Sequence, residues 1–327
     1  MPDSIMSDLW WKEFRVDPTL IRRIPADGWP PLGLVDLEAC PHLLRIDSLP
    51  PFPLIGLGSR DHPLACELDA VIEPPVSAEA LIRQVTRTPY AAAIAIQLLR
   101  SLEGLPTEHA LSFESFCYGL LQGSAEHAAW LAARGSTAQH GPPGRLVVER
   151  QHAALHLVLD RPLARNAIDR ALRDQLFEAF SLAALDSEVH SITLRALGPA
   201  FSVGADLAEF GTTRDPARAH LIRSRTLPAV MLAARAAILD VYVQGACVGA
   251  GLELAAFAGR LTASSNAWFQ LPELAMGLIP GAGGCVSVPR RIGRQRTGLL
   301  ILSGRRINAA TALRWGLIDA IQDPATT

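Results

Sequence analysis

The sequence is nearly devoid of lysine: Lys12 is the single one among 30 basic residues, and all the others are arginine. It also lacks an excess of either charge, because 32 acidic residues leave a net charge of −2. A nucleic-acid-binding domain usually carries a basic excess, so this class is not favoured. With 49% hydrophobic and 19% charged residues in 327, the composition predicts a soluble globular protein with a large core, divided into one or two domains.

Three other absences narrow the possibilities. The five cysteines are scattered and include no Cys-x-x-Cys pair, which argues against a disulfide framework or a zinc site and favours a cytoplasmic location. The N-terminus has no basic region followed by an apolar stretch, so no signal peptide is expected. The most apolar region, residues 241–258, is interrupted by glycines and by Glu253. A membrane span rarely tolerates such a carboxylate at its centre.

Proline is concentrated in the first 75 residues, which predicts a largely irregular segment there. From residue 78, apolar residues recur at helical spacing and predict two long helices, at 78–102 and 111–134, packed on each other. Residues 134–144 have the composition of a linker. We therefore expect an N-terminal extension at residues 1–140 that is rich in proline and mainly helical.

After the linker, strand and helix patterns alternate, which predicts a layered α/β domain at residues 145–327. Strands are expected at 146–149, 154–159, 191–195 and 241–243. Asp169 is the predicted cap of a helix that runs to about residue 185, and Asn308 is the predicted cap of a helix that ends at Gly316. A further helix is expected to begin near Gly251.

Two runs of small residues follow predicted strands in this domain. The first is Pro199-Ala-Phe-Ser-Val-Gly-Ala-Asp-Leu207, where the glycine permits a sharp turn that leaves the N–H of Ala205 unpaired. The second is Gln244-Gly-Ala-Cys-Val-Gly-Ala-Gly-Leu-Glu253, whose backbone can approach a ligand closely before a helix begins. Two backbone donors from separate loops are what an enolate or a tetrahedral oxyanion requires. For either run taken alone, a tight turn before a buried helix is the favoured interpretation.

Two acidic residues near these turns are candidates for acid–base chemistry. Glu253 lies in an otherwise apolar helix, where a carboxylate must find partners or raise its pKa. Its simplest structural explanation is an ion pair with Arg290 or Arg291. Glu273 follows Pro272, and a loop acid in that position is often only solvated. If the fold brings both acids to one cavity, they form a general acid–base pair.

As a set, these motifs resemble the crotonase (enoyl-CoA hydratase/isomerase) superfamily. The resemblance extends from Arg161-Pro-Leu-Ala-Arg-Asn-Ala167 to Trp315-Gly-Leu-Ile-Asp319. The other matching landmarks occur in the family's order: Ala-Phe-x-x-Gly-Ala-Asp at 200–206, Gly-x-Gly-x-Glu at 249–253, Pro272-Glu273, Ile279-Pro-Gly-Ala-Gly-Gly284 and Leu302-Ser-Gly-Arg305. The resemblance implies a core with the family's ββα spiral.

The resemblance also implies a role for each matched residue. The amides of Ala205 and Ala250 form the oxyanion hole, although the family usually has glycine in place of Ala250. Glu253 and Glu273 match the two acids that add water at C3 and transfer the proton at C2, and Gly281 matches the glycine whose N–H holds that water. The loop that cradles the adenine of coenzyme A matches four positions, and Arg161 or Arg165 is the candidate to replace the family's lysine against phosphate. These four positions are Leu163, Ala164, Arg165 and Ala167.

The chain departs from the family pattern at both ends. Family members usually continue past the Gly-Leu-Ile-Asp element into helices that cover the active site and build a trimer. Residues 1–140 have no counterpart in the ordinary hydratase, although helical N-terminal extensions occur on relatives such as a cofactor-free dioxygenase. We expect the helices at 78–134 to replace the C-terminal cover. A homo-oligomer is still expected, with an acyl-CoA thioester as the partner molecule.

The function implied is the hydration of a 2-enoyl-CoA or the reverse dehydration, without a cofactor beyond the coenzyme A of the substrate. Other enolate reactions on the same scaffold are the alternatives: double-bond isomerisation, thioester hydrolysis, decarboxylation or dioxygenation. A non-catalytic acyl-CoA-binding protein is a further alternative. Dioxygenase relatives lack both glutamates and simple isomerases tend to keep only the second, so the presence of Glu253 together with Glu273 favours the hydratase.

Overall fold

The computed structural model describes residues 10–21, 28–135 and 141–323, so the centre of the predicted linker lies outside the described residues. Ten helices and twelve strands are assigned within these ranges. The helices are α1 (Ala78–Arg87), α2 (Pro89–Ser101), α3 (Thr107–Gln122), α4 (Ala125–Arg134), α5 (Arg170–Leu185), α6 (Pro216–Thr226), α7 (Pro228–Ala234), α8 (Ala250–Ala255), α9 (Gly284–Ser303) and α10 (Ala309–Trp315). The strands are β1 (Gly33–Asp36), β2 (Leu54–Leu57), β3 (Ala70–Val71), β4 (Arg145–Gln151), β5 (Ala154–Asp160), β6 (Ser191–Ala196), β7 (Leu239–Val243), β8 (Ala246–Val248), β9 (Arg260–Ala263), β10 (Trp268–Gln270), β11 (Ile307–Asn308) and β12 (Ala320–Ile321).

The proline-rich segment is more ordered than the sequence predicts. Strands β1, β2 and β3 form a parallel three-stranded sheet, in the order β1-β2-β3. The sheet was not predicted, although its strands cover only ten of residues 33–71 and much of the rest is irregular, as expected. Its prolines lie outside the three strands, where a missing N–H costs no ladder hydrogen bond.

The two long helices predicted for residues 78–134 are in fact four. The first breaks at Thr88, whose φ of −138° and ψ of 62° are not helical, because Pro89 disfavours the helical conformation in the residue before it. The second breaks at Gly123, and Ser124 then caps α4 by accepting a hydrogen bond from the N–H of His127. Both breaks are local effects of residue type that the apolar periodicity conceals.

The predicted strands and helix caps of residues 145–323 are confirmed. Strands β4 to β7, β9 and β12 form a six-stranded sheet in the order β12-β9-β7-β6-β5-β4, in which only β4 and β5 are antiparallel. Asp169 caps α5 by accepting from the N–H of Leu172, and Asn308 caps α10 by accepting from the N–H of Thr311. Strands β11, β10 and β8 form a second sheet beside the start of α8.

Helix α9 was not predicted because two residues interrupt its helical sequence pattern. Pro289 lies inside the helix, and Gly293 has a φ of +77° that interrupts the helical geometry. The helix nevertheless contributes twelve buried residues and packs against α1, α2, α3 and α8. It therefore connects the N-terminal helices to the helix that carries Glu253.

The N-terminal helices and the α/β region share one hydrophobic core. Buried side chains of α1, α2 and α3 belong to the same cluster as those of β5, β6, α8 and α9. Over the described parts of the chain, none of the helices is both long and apolar enough to cross a membrane.

Asp69 makes the polar link between the small N-terminal sheet and this core. Its side chain is fully buried and accepts hydrogen bonds from the N–H of Leu54 at 2.8 Å, from Arg100 at 2.7 Å and from Arg294 at 3.2 Å. These partners belong to β2, α2 and α9, so one carboxylate joins three elements.

We expect Asp69→Asn to lower the free energy of unfolding by about 3 kcal/mol, because it leaves Arg100 without its counter-charge and leaves Arg294 paired with Glu103 alone. Urea unfolding of the variant and the parent measures the loss. Asp47→Asn, at an exposed position, is the matched control. A loss no larger than that of the control would show that the Asp69 cluster does not hold the sheet.

Candidate active site

The two predicted oxyanion turns lie side by side. Ser202 joins them, because its N–H donates to the carbonyl of Ala246 at 3.0 Å and its carbonyl accepts from the N–H of Val248 at 3.0 Å. A Cβ on Gly204 would lie 3.7 Å from the amide nitrogen of Ala250. The turn before Ala205 and the start of α8 therefore meet at one point.

Neither predicted donor N–H has a backbone acceptor among the described residues. The parallel bridge between Ile168 and Ala205 uses the N–H groups of Ile168 and Asp206, at 2.8 and 2.9 Å, and leaves the N–H of Ala205 out. Ala250 is the first residue of α8, whose N–H has no acceptor within the helix. Among the described residues, positive φ values outside glycine occur only at His152, Arg165 and Asn166, so Ala250 holds its helical geometry without the glycine usual in the family.

Glu253 is 2% exposed on α8 and is bound by backbone groups rather than by an arginine. Its Oε2 atom accepts from the N–H of Ala282 at 2.6 Å and from the N–H of Gly284 at 2.8 Å. The alternative of an ion pair with Arg290 or Arg291 is wrong. Arg290 donates to Thr107, and Arg291 pairs with Asp319 at 2.7 Å.

Glu273 lies at the turn that follows β10, with its carboxyl group against the oxyanion turns. A Cβ on Gly249 would lie 2.5 Å from Oε1 of Glu273 and 3.9 Å from Cα of Gly204. The φ of Gly249 is +47°, so both space and backbone geometry require glycine between the two groups. The Oε2 atom of Glu273 is buried and has no hydrogen-bond partner among the described residues. The expectation of a merely solvated loop acid does not hold.

A third carboxyl group, which the sequence analysis did not identify, enters this region from α3. Glu114 is 1% exposed, and it accepts from the N–H of Gly283 at 2.7 Å and from the N–H of Cys285 at 2.8 Å. The sequence holds a weak signal for it, since Glu114 shares a helix face with the buried residues Ala110 and Leu111. An acid within an apolar stripe is the feature that also marked Glu253.

Tyr118 lies one helical turn beyond Glu114, with its ring against Gly281. Any side chain at Gly281 would overlap this ring, so only glycine fits. The guanidinium of Arg223 lies over the other part of the ring, 4.6 Å from its centroid. The segment predicted to hold water in the hydratase reaction is thus covered by an aromatic residue of α3.

Burial controls the protonation of all three carboxyl groups. It raises the pKa of Glu253 from about 4.5 to about 7, against the opposing effect of the two amides that donate to it. It raises the pKa of Glu273 well above the usual range, and the charge of Glu253 raises it further. The pKa of Glu114 is also raised, by burial and then by Glu253. With a pKa of about 7, Glu253 is a group whose charge changes near neutral pH.

The segment predicted to cradle adenine forms a tight, partly left-handed loop. Leu163 is 85% exposed, Arg165 is exposed with a φ of +50°, and Ala164 accepts from the N–H of Ala167 at 3.0 Å. Arg161 cannot serve a phosphate here, since it is 2% exposed and pairs with Asp206 at 2.8 Å. Of the two arginines considered from the sequence, only Arg165 remains a candidate.

Among the described residues, no group of three or more histidine, cysteine, aspartate or glutamate side chains is arranged to hold a metal ion. The five cysteines are all free thiols.

Comparison with known proteins identifies the family. The family model for enoyl-CoA hydratase/isomerase matches residues 149–326. The chain is 37% identical over 176 residues to the 2,3-dehydroadipyl-CoA hydratase of Escherichia coli, covering 54% of this chain and 68% of the relative. It is 36% identical over 191 residues to the enoyl-CoA isomerase/hydratase fer4 of Mycosarcoma maydis, covering 52% and 66%. The chain thus spans about two thirds of the length of these relatives.

A solved structure from Mycobacterium abscessus, described as an enoyl-CoA hydratase/isomerase, aligns with a TM-score of 0.50 at 35% identity, covering 55% of this chain and 71% of the other. The expected crotonase-like α/β fold is confirmed.

The pH dependence of stability tests the protonation of Glu253. Because the pKa of Glu253 is raised in the folded state, the folded protein binds more protons than the unfolded chain between about pH 5 and 8, and stability falls as pH rises through this window. Glu253→Gln keeps the side-chain oxygen that accepts both amides but cannot ionise.

We therefore expect Glu253→Gln to gain stability relative to the parent as pH rises from about 5 to 8, by an amount on the order of 2–3 kcal/mol. Urea unfolding at several pH values measures the difference. Glu178→Gln, exposed on α5, is the control and should show a constant difference. A constant difference for Glu253→Gln as well would place its pKa in the ordinary range.

Proposed function

Since the chain belongs to the enoyl-CoA hydratase/isomerase family and is an enzyme of that type, we propose that it adds water to a 2-enoyl-CoA thioester or removes it in the reverse direction. The observation that carries the proposal is the pairing of two unlike acids at the oxyanion turns. Glu273 has a raised pKa and an oxygen without a hydrogen-bond partner among the described residues, and Glu253 is the acid whose pKa is about 7.

The thioester oxygen binds the N–H groups of Ala205 and Ala250. Attack at C3 moves negative charge onto this oxygen and forms an enolate. Fixed backbone donors stabilise that charge without reorganising, since their positions are set by the bridge at Ile168 and by the start of α8. This supports catalysis of any reaction that passes through an enolate.

The two acids complete the addition. Ionised Glu253 takes a proton from water as the water oxygen bonds to C3, and the C2=C3 electron pair moves into the enolate. Protonated Glu273 then delivers its proton to C2. The water is consumed as hydroxyl at C3 and hydrogen at C2, and the proton left on Glu253 must return to Glu273 before the next turnover.

Double-bond isomerisation is a second candidate, favoured by the position of Tyr118. Its ring packs on Gly281, the glycine expected to hold the water in the hydratase reaction. Isomerisation needs only a proton transfer between two carbon atoms, for which Glu273 alone suffices. The two reactions therefore make different demands on Glu253.

Other features of the proposal rest on the family likeness. We propose that the coenzyme A portion lies along the loop at 163–167, with Arg165 available for phosphate. A cytoplasmic location and a homo-oligomer remain predictions. The acyl group is not assigned, and the adipyl chain named for the Escherichia coli relative belongs to that protein.

The two glutamates should act as one unit. We expect Glu253→Gln and Glu273→Gln each to lower turnover of a 2-enoyl-CoA by about 10²–10⁴, the range for a positioned acid or base. The double variant should lose less than the product of both, because groups that act together are not additive. The assay follows absorbance of the conjugated thioester, with Glu178→Gln as control.

The same variants separate the candidates. If the enzyme is an isomerase, Glu273→Gln abolishes conversion of a 3-enoyl-CoA while Glu253→Gln leaves most of it. A folded Glu253→Gln that hydrates as fast as the parent would refute the hydratase proposal.

A proline substitution at Ala250 tests the oxyanion hole with little strain on the backbone. Proline is tolerated at the first position of a helix, and here it would delete the donor. We expect Ala250→Pro to lower turnover by about 10²–10³. Ala125→Pro, at the same position of α4, is the matched control for the fold. Undiminished turnover in a folded Ala250→Pro would remove Ala250 from the site.

A further inference from the structure

We propose that Glu114, supplied by the N-terminal helix α3, is a positioning residue of the active site that holds the turn at 280–285, and Glu253 with it, in the geometry for proton transfer. The inference rests on the proposed function for its catalytic consequence. Its geometric basis is independent of which family reaction occurs.

The amides of this turn are shared between two carboxyl groups. The N–H groups of Ala282 and Gly284 point to Glu253, and those of Gly283 and Cys285 point to Glu114. Four successive amides thus alternate between an acid of α8 and an acid of α3. The turn is fixed from both sides, and displacement of either carboxyl group moves the other.

The turn cannot hold this shape through its own preference. Gly283 has a φ of +104°, and a Cβ there would lie 2.7 Å from the ring of Phe257 and 2.9 Å from Ala229. With glycine at 281, 283 and 284, the segment has little intrinsic rigidity. External acceptors are therefore needed to select one conformation, and Glu114 provides two of the four bonds.

The two acids differ in how they use their oxygens. Glu253 accepts both amides on Oε2, whereas Glu114 accepts one on Oε1 and one on Oε2. Glutamine at position 253 keeps one oxygen that can accept both amides. At position 114, the NH₂ group of glutamine must face one of the two N–H donors, so one hydrogen bond is lost. The substitution Glu114→Gln is therefore a specific probe of the turn.

Charge gives Glu114 a second effect on the site. The groups that face it are Glu253, Glu273, Tyr118, Cys117, Cys285 and Arg223. None of the ion pairs in the described residues involves Glu114, Glu253 or Glu273, so the three carboxyl groups oppose one another's ionisation without a paired cation. The charge of Glu114 acts to raise the pKa of Glu273 and so favours its proton-donating form.

Two variants separate the hydrogen bonds from the charge. Glu114→Gln should lower kcat by about 10²-fold, the effect of a misplacement near 1 Å, with little change in KM. The alkaline limb of its pH profile should move to lower pH, because the charge of Glu114 is one of the causes that raise the pKa of Glu273. Glu114→Asp keeps the charge but is too short to span both amides, so it should lower kcat and leave the limb in place. Glu108→Gln, exposed on the same helix, is the matched control.

A readout independent of turnover keeps this test apart from the proposed function. Amide exchange at residues 282–285 should be faster in Glu114→Gln than in Glu108→Gln, and a ¹³C-carboxyl titration should show Glu273 titrating at lower pH. If the parent lacks hydratase activity but both signals appear, the proposed function fails and the positioning role stands.

Unchanged exchange and an unchanged Glu273 titration in Glu114→Gln would overturn the role, whatever the activity. If that variant does not fold, Glu114→Asp decides by exchange alone, since parent-like protection of both Gly283 and Cys285 would contradict the two-bond arrangement.

Discussion

The turn at residues 280–285 is the constraint on which the site depends. Its amides donate to two buried carboxyl groups, which come from α8 and α3. Because an unpaired charge is costly inside a protein, neither helix can leave its place without exposing the other's acid to an apolar environment. The α/β region and the N-terminal helices are therefore joined at the point where the chemistry is proposed.

This arrangement also explains why the acids can have raised pKa values in a stable protein. Backbone donors satisfy the oxygens of Glu114 and Glu253 without supplying a full positive charge, so the carboxylates are held in place but not locked into the ionised form. An arginine partner would have lowered the pKa of Glu253 instead. Arg291 pairs with Asp319, and Arg223 lies over the ring of Tyr118 and donates to Gln122, so neither forms an ion pair with these acids.

What the sequence could predict depends on how local each signal is. The caps at Asp169 and Asn308 and the alternating strand predicted at 154–159 are short-range patterns, and the structure confirms these elements. The breaks at Pro89 and Gly123 are also local, but they lie within a continuous helical periodicity of apolar residues, which predicts longer helices. Helix α9 was missed because Pro289 and Gly293 interrupt its pattern.

Glu114 could not be assigned from the sequence, because the significance of a buried acid lies in its partners. Those partners are 169 and 171 residues away, and no local pattern specifies such a pairing. The same holds for Tyr118 and Gly281. The replacement of the C-terminal cover by the helices at 78–134 stays a prediction, and the structure adds that α3 brings Glu114 and Tyr118 against residues 281–285.

The separation of Glu114 from its partners has a consequence for the order of folding. During synthesis α3 emerges from the ribosome long before the glycines at 281–284 are made. Until then its apolar face and Glu114 are exposed to water or packed against other surfaces. Contacts between residues so far apart in the sequence form late in folding, because closing the long loop costs conformational entropy before the contact contributes any stabilisation. The carboxyl cluster therefore forms only when both halves of the chain are present, and a partly made chain carries no assembled proton-transfer site.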